Sequence, residues 1–97
     1  MGVAKLQFEW DPAKAASNFV KHRVSYLTAA AIFENPVIER IDDREDYGEV
    51  RYVGLGRAGL DVYRVVYTRL DAETIRIISA QKAGRNEREY FFRQNFA

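Results

Sequence analysis

Three strand-like segments in the second half of the chain constrain its fold more than any other feature. They span residues 50–55, 62–67 and 74–79, are rich in β-branched and aromatic residues, and are joined by turn-prone stretches. The first two carry apolar side chains on both faces, whereas a sheet covered on one side only would alternate more cleanly. The pattern therefore predicts an antiparallel sheet whose second face is covered in part by helices or by a partner.

Two helices are predicted ahead of these strands. Asp11 and Pro12 form a strong start for the first, because Asp is a favoured N-cap and Pro fits the first helical position, and this helix should end near His22. Its predicted apolar stripe consists of Ala16, Phe19 and Val20. The residues just before it, 6–10, alternate apolar and polar side chains, which is typical of a short strand or an extended lead-in.

The second helix has Ser25 as its predicted N-cap and stops at Asn35 and Pro36. Its predicted buried face consists of Leu27, Ala30, Ala31 and Ile32. A return to period two over residues 37–41 then predicts one more strand, which brings the predicted sheet to four strands.

The end of the chain predicts a third helix. Asn86 followed by Glu89 resembles a capping box that opens a helix over residues 86–95. The order of elements then gives an α+β fold with two N-terminal helices, a four-stranded antiparallel sheet and a C-terminal helix. At 97 residues there is room for one domain only, spanning residues 1–97.

Composition excludes several classes of function. The chain has no cysteine and a single histidine, which excludes disulfides, thiolate zinc sites, cysteine nucleophiles and multi-histidine metal sites. We expect neither a metal nor a cofactor. No apolar run approaches ~20 residues, and the start of the chain is too polar for a signal peptide. We therefore expect a cytoplasmic protein that does not span a membrane.

The net charge is only +1, but it is unevenly distributed along the chain. Residues 41–50 carry one basic against five acidic side chains, whereas residues 51–97 carry nine basic against five acidic. Eight of those nine are arginines, whose planar guanidinium suits forked contacts with phosphate. The asymmetry indicates either a solvated surface with an acidic loop or a basic face that meets a polyanion.

Three arginines interrupt the apolar strands: Arg51, Arg64 and Arg76. An unpaired charge inside a strand would be unfavourable. Each arginine should therefore lie at a sheet edge, pair with a carboxylate, or line a positive cleft on the sheet. The predicted carboxylate partners are Asp61, Glu49 and Glu73.

The register of the last two strands decides which of these arginines share a face, because a shift of one residue inverts every side chain. A two-residue turn at residues 71–72 would place Arg76 opposite Tyr67 and Arg64 opposite Ser79. We predict that register.

His22 is the single side chain whose unperturbed pKa lies near neutrality. If the polyanion is RNA, cleavage needs a group that takes the 2′-OH proton and one that protonates the leaving oxygen, and His22 is the candidate for both tasks. Its alternative role is structural, at a helix end where it would bond a carbonyl. Four tyrosines are candidates either for stacking on bases or for the core: Tyr52, Tyr63, Tyr67 and Tyr90.

Short sequence motifs, or sequence words, spread over residues 8–90 resemble those of a known family. The words are Phe8-Glu9-Trp10-Asp11-Pro12-Ala13-Lys14, Asn18, Lys21-His22, Val24-Ser25, Ala29-Ala30, Arg51, Gly54-Leu55-Gly56, Val66-Tyr67-Thr68, Ile75-Arg76-Ile77-Ile78-Ser79-Ala80, Lys82-Ala83, Glu87-Arg88 and Tyr90. In this order they resemble the BrnT family, small ribonuclease toxins of bacterial type II toxin–antitoxin systems with a fold similar to that of RelE toxins.

The resemblance implies an enzyme that cleaves RNA without a metal and arrests translation, restrained by a BrnA-like antitoxin. The complex would repress its own operon, with the antitoxin contacting operator DNA. By similarity to RelE-like toxins, the active cleft lies on the sheet and is closed by the C-terminal segment. The implied catalytic residues are His22, Arg51, Arg64 and Arg76. The implied RNA-binding residues are Ser79, Lys82, Arg85, Arg88 and Tyr90.

Two positions depart from the family pattern. Arg23 follows Lys21-His22 where the family usually has glycine, and at a positive φ it would be less favourable than glycine by ~1 kcal/mol. Gln81 follows Ser79-Ala80 where the family usually has arginine, and Lys82 cannot replace it because neighbouring strand residues point to opposite faces. The lost cation suggests an alternative function: a catalytically attenuated RNA- or antitoxin-binding module that acts in operon regulation.

Overall fold

The structure, a computed structural model, describes residues 5–96, so residues 1–4, where the polar start of the chain lies, and residue 97 are outside the described part. The elements are β1 (Gln7–Glu9), α1 (Pro12–His22), α2 (Tyr26–Ala31), a 3-10 turn (Ile32–Glu34), β2 (Ile38–Asp42), β3 (Arg51–Ala58), β4 (Asp61–Arg69), β5 (Thr74–Lys82) and α3 (Arg85–Phe96). The predicted α+β class is confirmed.

All five strands form one mixed sheet in the order β1-β5-β4-β3-β2. Strands β2 to β5 are antiparallel neighbours, but β1 pairs in parallel with β5 through Phe8 and Ile75. The prediction of a four-stranded, purely antiparallel sheet is therefore wrong. Strand β1 has only three residues, and its partner is distant in sequence, so no local pattern reveals the pairing.

Both N-terminal helices begin where the sequence predicts. The Asp11 carboxylate accepts a hydrogen bond from the Ala13 N–H at 2.8 Å, and the Ser25 hydroxyl accepts one from the Thr28 N–H at 3.1 Å. Helix α2 ends at Ala31, and a 3-10 turn extends it. Within the described residues no helix is long and apolar enough to cross a membrane.

The predicted buried faces of these two helices are largely wrong. Val20 is 72% exposed and Leu27 is 73% exposed, and Phe19 is exposed as well, whereas Ile32 is buried as predicted. The buried residues of the two helices are instead Asn18, Tyr26 and Ala29. Polar contacts set the orientation of the helices. Asn18 and Tyr26 hydrogen-bond to backbone groups of β5, and these bonds turn that side of each helix toward the sheet.

The main core lies between α1, α2 and the sheet face that they cover, which we call the helix face. Tyr67 lies at its centre with no exposed surface, and its ring centroid is 5.0 Å from that of Phe33 and 5.6 Å from that of Tyr52. A glycine permits the close approach of helix and sheet, because a Cβ on Gly56 would lie only 2.8 Å from the Cβ of Ile32.

The register between β4 and β5 differs from the predicted one. Arg76 lies opposite Thr68, and Arg64 lies opposite Gln81. The connecting loop is longer than two residues, and β5 contains one extra residue, Ile78, at a bulge. Both predicted cross-strand pairs are therefore wrong.

The opposite face of the sheet is covered in part by α3, which packs against β3. Phe91 of α3 is buried, as are Val53, Val62 and Val66 of the strands. This second, smaller apolar cluster explains why both faces of β3 and β4 are apolar in sequence. The prediction that a helix covers part of the second face is correct.

Candidate functional site

The sheet face opposite α1 and α2, here called the arginine face, carries five arginines from four strands. Cross-strand register assigns them, because directly paired residues project to the same side of a sheet. They are Arg40 on β2, Arg51 and Arg57 on β3, Arg64 on β4 and Arg76 on β5. Sequence reasoning missed Arg40 and Arg57. The signal for Arg57 was present, since it lies six positions after Arg51 in the same strand, and an even offset places two side chains on the same face.

The three arginines predicted as catalytic occupy two positions on this face. In the register of the strands, Arg51 and Arg76 lie on either side of Thr68. Arg64 lies four residues from Thr68 along β4, which is about 13 Å at the usual rise of a strand. The structure therefore places all three on one face without bringing them to a single point.

Each of these three arginines is paired with a carboxylate. The guanidinium–carboxylate distances are 3.1 Å for Arg51 and Glu49, 3.3 Å for Arg64 and Glu87, and 2.7 Å for Arg76 and Glu9. Glu49 is a predicted partner, whereas the partners of Arg64 and Arg76 differ from the predicted ones because they come from α3 and β1. Partly exposed ion pairs of this kind contribute little stability, so a phosphate can compete for the guanidinium groups.

Ser79 connects the arginine face with His22. Its Cα partner on β4 is Val66, which lies on the arginine face, and it also lines a shallow groove at the free edge of β5. His22, the last residue of α1, lines the same groove with Lys21 and Tyr26. In the part of the chain that the structure describes, no hydrogen bond or ion pair joins His22 to the three arginines. Among the described residues, Ser79 belongs to both regions.

Asn18 closes part of the free edge of β5. Its side-chain amide donates to the carbonyl oxygens of Ala80, at 2.9 Å, and Val24, at 3.1 Å, and its amide oxygen accepts from the Ala80 N–H at 3.2 Å. The side chain thus imitates the peptide group of a neighbouring strand, which satisfies an edge that would otherwise be open. Asn18 belongs to the family-like words, and the structure gives it a structural role.

Three of the predicted RNA-binding residues lie away from the arginine face. Lys82 projects to the other side of the sheet, because its Cα partner is Tyr63 of the helix face, and it pairs with Asp61 at 3.6 Å. Arg85 and Arg88 line an open hollow on the outer side of α3. The sequence argument that Lys82 cannot take the place of Gln81 agrees with this placement.

Tyr90 is the predicted RNA-binding residue of α3 that does lie over the sheet. It is 44% exposed and lines a cavity of about 350 Å³ between α3 and strands β2 and β3. The rest of the lining is mixed, with apolar residues from the strands and polar residues from α3 and β2. Those residues are Ile38, Glu39, Arg40, Val53, Leu55, Asn86 and Glu87. Sequence reasoning did not find this cavity, since it depends on where α3 lies across the sheet.

The other candidate tyrosines belong to the helix face and its core. Tyr67 donates a hydrogen bond to the Glu39 carboxylate, which also accepts one from Arg69 at 3.0 Å. Burial, followed by the Glu39 hydrogen bond, holds the pKa of Tyr67 well above its usual value. Tyr52 stacks on Tyr67, and Tyr63 packs at the margin of the core. These three rings are structural rather than base-stacking groups.

The two departures from the family pattern have clear positions. Arg23 has φ 59° and ψ 28°, the left-handed conformation, and its N–H donates to the Phe19 carbonyl at 2.8 Å as α1 ends. An arginine therefore occupies a position where glycine would be less strained by ~1 kcal/mol. Gln81 lies on the arginine face directly opposite Arg64. An arginine there would add a sixth cation to this face.

The acidic loop is anchored at the end of the arginine face. The Asp42 carboxylate, whose side chain is 1% exposed, accepts two hydrogen bonds from the Arg44 guanidinium at 2.7 Å and one from the Tyr47 hydroxyl. The Arg44 hydrogen bonds hold the pKa of Asp42 well below its usual value. Arg51 lies over the Tyr47 ring at 4.1 Å. Over residues 5–96, no three acidic or histidine side chains are grouped to hold a metal ion.

Comparison with known proteins agrees with this fold. The sequence matches, over residues 10–87, the family described as ribonuclease toxin, BrnT, of type II toxin–antitoxin system. The crystal structure of the Brucella abortus ribonuclease toxin BrnT superposes with a TM-score of 0.59 at 19% identity, covering 86% of this chain and all of that one. No curated protein sequence matches significantly.

The fold and the family match together define a small toxin of the type II toxin–antitoxin class. The chain belongs to the BrnT family of ribonuclease toxins. The resemblance drawn from the sequence words is therefore confirmed. Toxins of this class act beside a protein antitoxin, so family membership implies an antitoxin partner.

Proposed function

We propose that this chain is an endoribonuclease that cleaves RNA without a metal ion and thereby arrests translation. Family membership supports the ribonuclease activity. The observation that carries the finer statement is the arginine face, where five guanidinium groups from four strands lie on one side of the sheet. Such groups supply the fixed positive charge that a phosphorane-like transition state requires.

The proposed RNA path crosses β5 at Ser79, where the arginine face meets the groove of His22. Arg64 and Arg76 would bind phosphate oxygens after exchanging the carboxylates that now hold them, and Arg51 would add charge beside Arg76. Arg76 is the least buried of the three and is the first choice for the transition-state contact.

His22 is proposed as the general acid–base group, acting from the edge of β5. His22 takes the proton of the 2′-hydroxyl as the 2′-oxygen attacks the adjacent phosphorus, the bond between phosphorus and the 5′-oxygen breaks, and the leaving 5′-oxygen takes up the proton from the protonated His22. Ser79 would donate a hydrogen bond to the substrate in the same place. On this path Arg85, Arg88 and Lys82 attract RNA by their charge without touching the reacting atoms.

The alternative function is supported by Gln81. The residue opposite Arg64 lacks the charge that the family pattern usually has there, and one missing transition-state cation can lower a rate by orders of magnitude. In that case the chain binds RNA or its antitoxin in operon regulation and cleaves RNA slowly.

The deciding experiment is incubation of the purified chain with a long, structureless RNA in EDTA. We expect cleavage by the wild-type chain, and a rate about 100-fold lower for Arg76→Ala with unchanged thermal unfolding. An Arg76→Ala variant that cleaves at the wild-type rate would remove Arg76 from the site. If neither protein cleaves but Gln81→Arg does, the attenuated function is correct.

The partner is proposed to be a BrnA-like antitoxin, which would also supply the contacts to operator DNA, and the place of action is proposed to be the cytoplasm. Induction of the chain alone should arrest growth, and co-expression of the antitoxin should restore it. A chain that binds antitoxin but never arrests growth would fit only the binding function.

A further inference from the structure

The cavity between α3 and strands β2 and β3 is suited to a flat ligand. Ile38, Val53 and Leu55 supply an apolar wall on the sheet side, and the Tyr90 ring lines the α3 side. Its volume of about 350 Å³ accommodates an aromatic ring system with its substituents. Tyr90 remains 44% exposed, so the ring has a surface that no part of the protein covers.

Two polar side chains of the cavity lining have no polar partner among the described residues. Within residues 5–96, neither the Asn86 amide nor the Arg40 guanidinium makes a side-chain hydrogen bond or an ion pair. Glu87, by contrast, is fixed, because its carboxylate accepts from the Gly84 N–H at 2.9 Å and pairs with Arg64 at 3.3 Å. The lining thus combines a ring for stacking with a free amide and a free guanidinium that can bond to a ring edge.

The cavity adjoins a phosphate-binding position. Arg64 contacts Glu87, which lines the cavity, and the Cα partner of Arg64 is Leu55, which lines it too. A ligand that joins a flat ring to an anionic backbone would therefore place its ring in the cavity and its phosphate at Arg64. Single-stranded RNA has this chemistry, and proteins recognise it by stacking unpaired bases on aromatic rings.

We propose that this cavity is a nucleobase site, in which one unstacked base of single-stranded RNA stacks on Tyr90 while its phosphate contacts Arg64. Asn86 and Arg40 hydrogen-bond to the edge of the base and give the site its preference among bases. The inference rests on the proposed RNA-cleaving function and adds to it the means by which the strand is positioned.

The test compares binding of two fluorescein-labelled probes in EDTA: an adenosine oligoribonucleotide of about ten residues, and an abasic oligonucleotide with the same sugar–phosphate backbone. Tyr90→Leu should weaken binding of the adenosine probe by about 10-fold and leave the abasic probe unchanged, because one stacked base is lost. Tyr90→Phe keeps the ring and should bind both probes as the wild type does. Thermal unfolding checks that all variants are folded.

The salt dependence of binding distinguishes the contribution of the Tyr90 ring from that of the Arg64 charge. Tyr90→Leu should keep the wild-type slope of log K against log salt concentration, whereas Arg64→Gln should reduce that slope by about 0.7, the contribution of one phosphate contact on a single strand. Equal weakening of both probes by Tyr90→Leu, or no weakening of either, would overturn the nucleobase site.

The outcomes also distinguish this site from the function on which it rests. If the wild-type chain cleaves RNA and Tyr90→Leu changes neither binding nor cleavage, the nucleobase site is wrong and the ribonuclease stands. If binding of the adenosine probe depends on Tyr90 but the wild-type chain does not cleave RNA, the site stands and the proposed cleavage fails. If neither probe binds at all, the nucleobase site is overturned as well.

Discussion

The two faces of the sheet are built in opposite ways. The helix face is closed by α1 and α2 over a core centred on Tyr67, and its polar groups are satisfied internally. The arginine face is covered only in part by α3, and three of its five arginines are paired with partly exposed carboxylates from three other segments. Apolar burial is difficult to reverse, whereas exposed ion pairs exchange readily with a ligand. Stability and activity should therefore separate between the two faces.

The largest expected effect tests this separation directly. Arg64→Gln, on the arginine face, should lower RNA cleavage by about 100-fold because a fixed charge near the phosphate is lost, with a loss of stability of no more than about 1 kcal/mol. Arg69→Gln is the matched control, since Arg69 is also a strand arginine paired with a glutamate, but on the helix face, where its Cα partner is Ile75 of the core. Cleavage rates and urea unfolding of both variants are the measurements. Equal loss of cleavage in the two would contradict the assignment of faces.

The next effect concerns stability on the helix side. Asn18→Leu should reduce the free energy of unfolding by about 2–3 kcal/mol, because the backbone N–H and C=O of Ala80 lose their partner at a buried strand edge. Ser17→Ala, one residue away on the exposed side of α1, should change it by less than about 0.5 kcal/mol. Urea unfolding measures both. A stable Asn18→Leu variant would show that the edge is satisfied in another way.

The fold follows from the sequence where local signals decide it. The helix starts at Asp11 and Ser25 follow from capping chemistry, and the main antiparallel strands follow from their β-branched and aromatic residues. The buried faces of the two helices could not be predicted in this way. Hydrophobicity predicts that Val20 of α1 is buried, whereas the residue that contacts the sheet is the polar Asn18. A bulge at Ile78 likewise shifts the register by one residue, and no local pattern predicts it.

The candidate site likewise has a part that could be predicted from the sequence and a part that could not. Arg51, Arg64 and Arg76 are recognised because a charge inside an apolar strand needs an explanation, and the structure places them on one face. The cavity at Tyr90 is invisible in the sequence, since it exists only where a distant helix crosses two strands. Residues that depend on one element are predictable, and those that depend on the packing of several are not.

The smallest expected effect examines whether any charge on the arginine face supports the fold. Asp42, the Cα partner of Arg51, has a pKa lowered by the Arg44 hydrogen bonds, so the folded chain holds this proton less tightly than the unfolded chain does. Its stabilisation is therefore present above the ordinary pKa of about 3.9 and is lost as the pH falls toward the lowered value.

Asp42→Asn should consequently be less stable than the wild type by about 1 kcal/mol or less near neutral pH, and the difference should shrink in acid. Asp43→Asn, at an exposed neighbour without an ion pair in the described chain, provides the control and should show no such convergence. Urea unfolding at about pH 7 and about pH 3 measures the stability difference between each variant and the wild type. A stability difference between Asp42→Asn and the wild type that stays constant across this range would mean that the Asp42–Arg44 pair does not support the folded state.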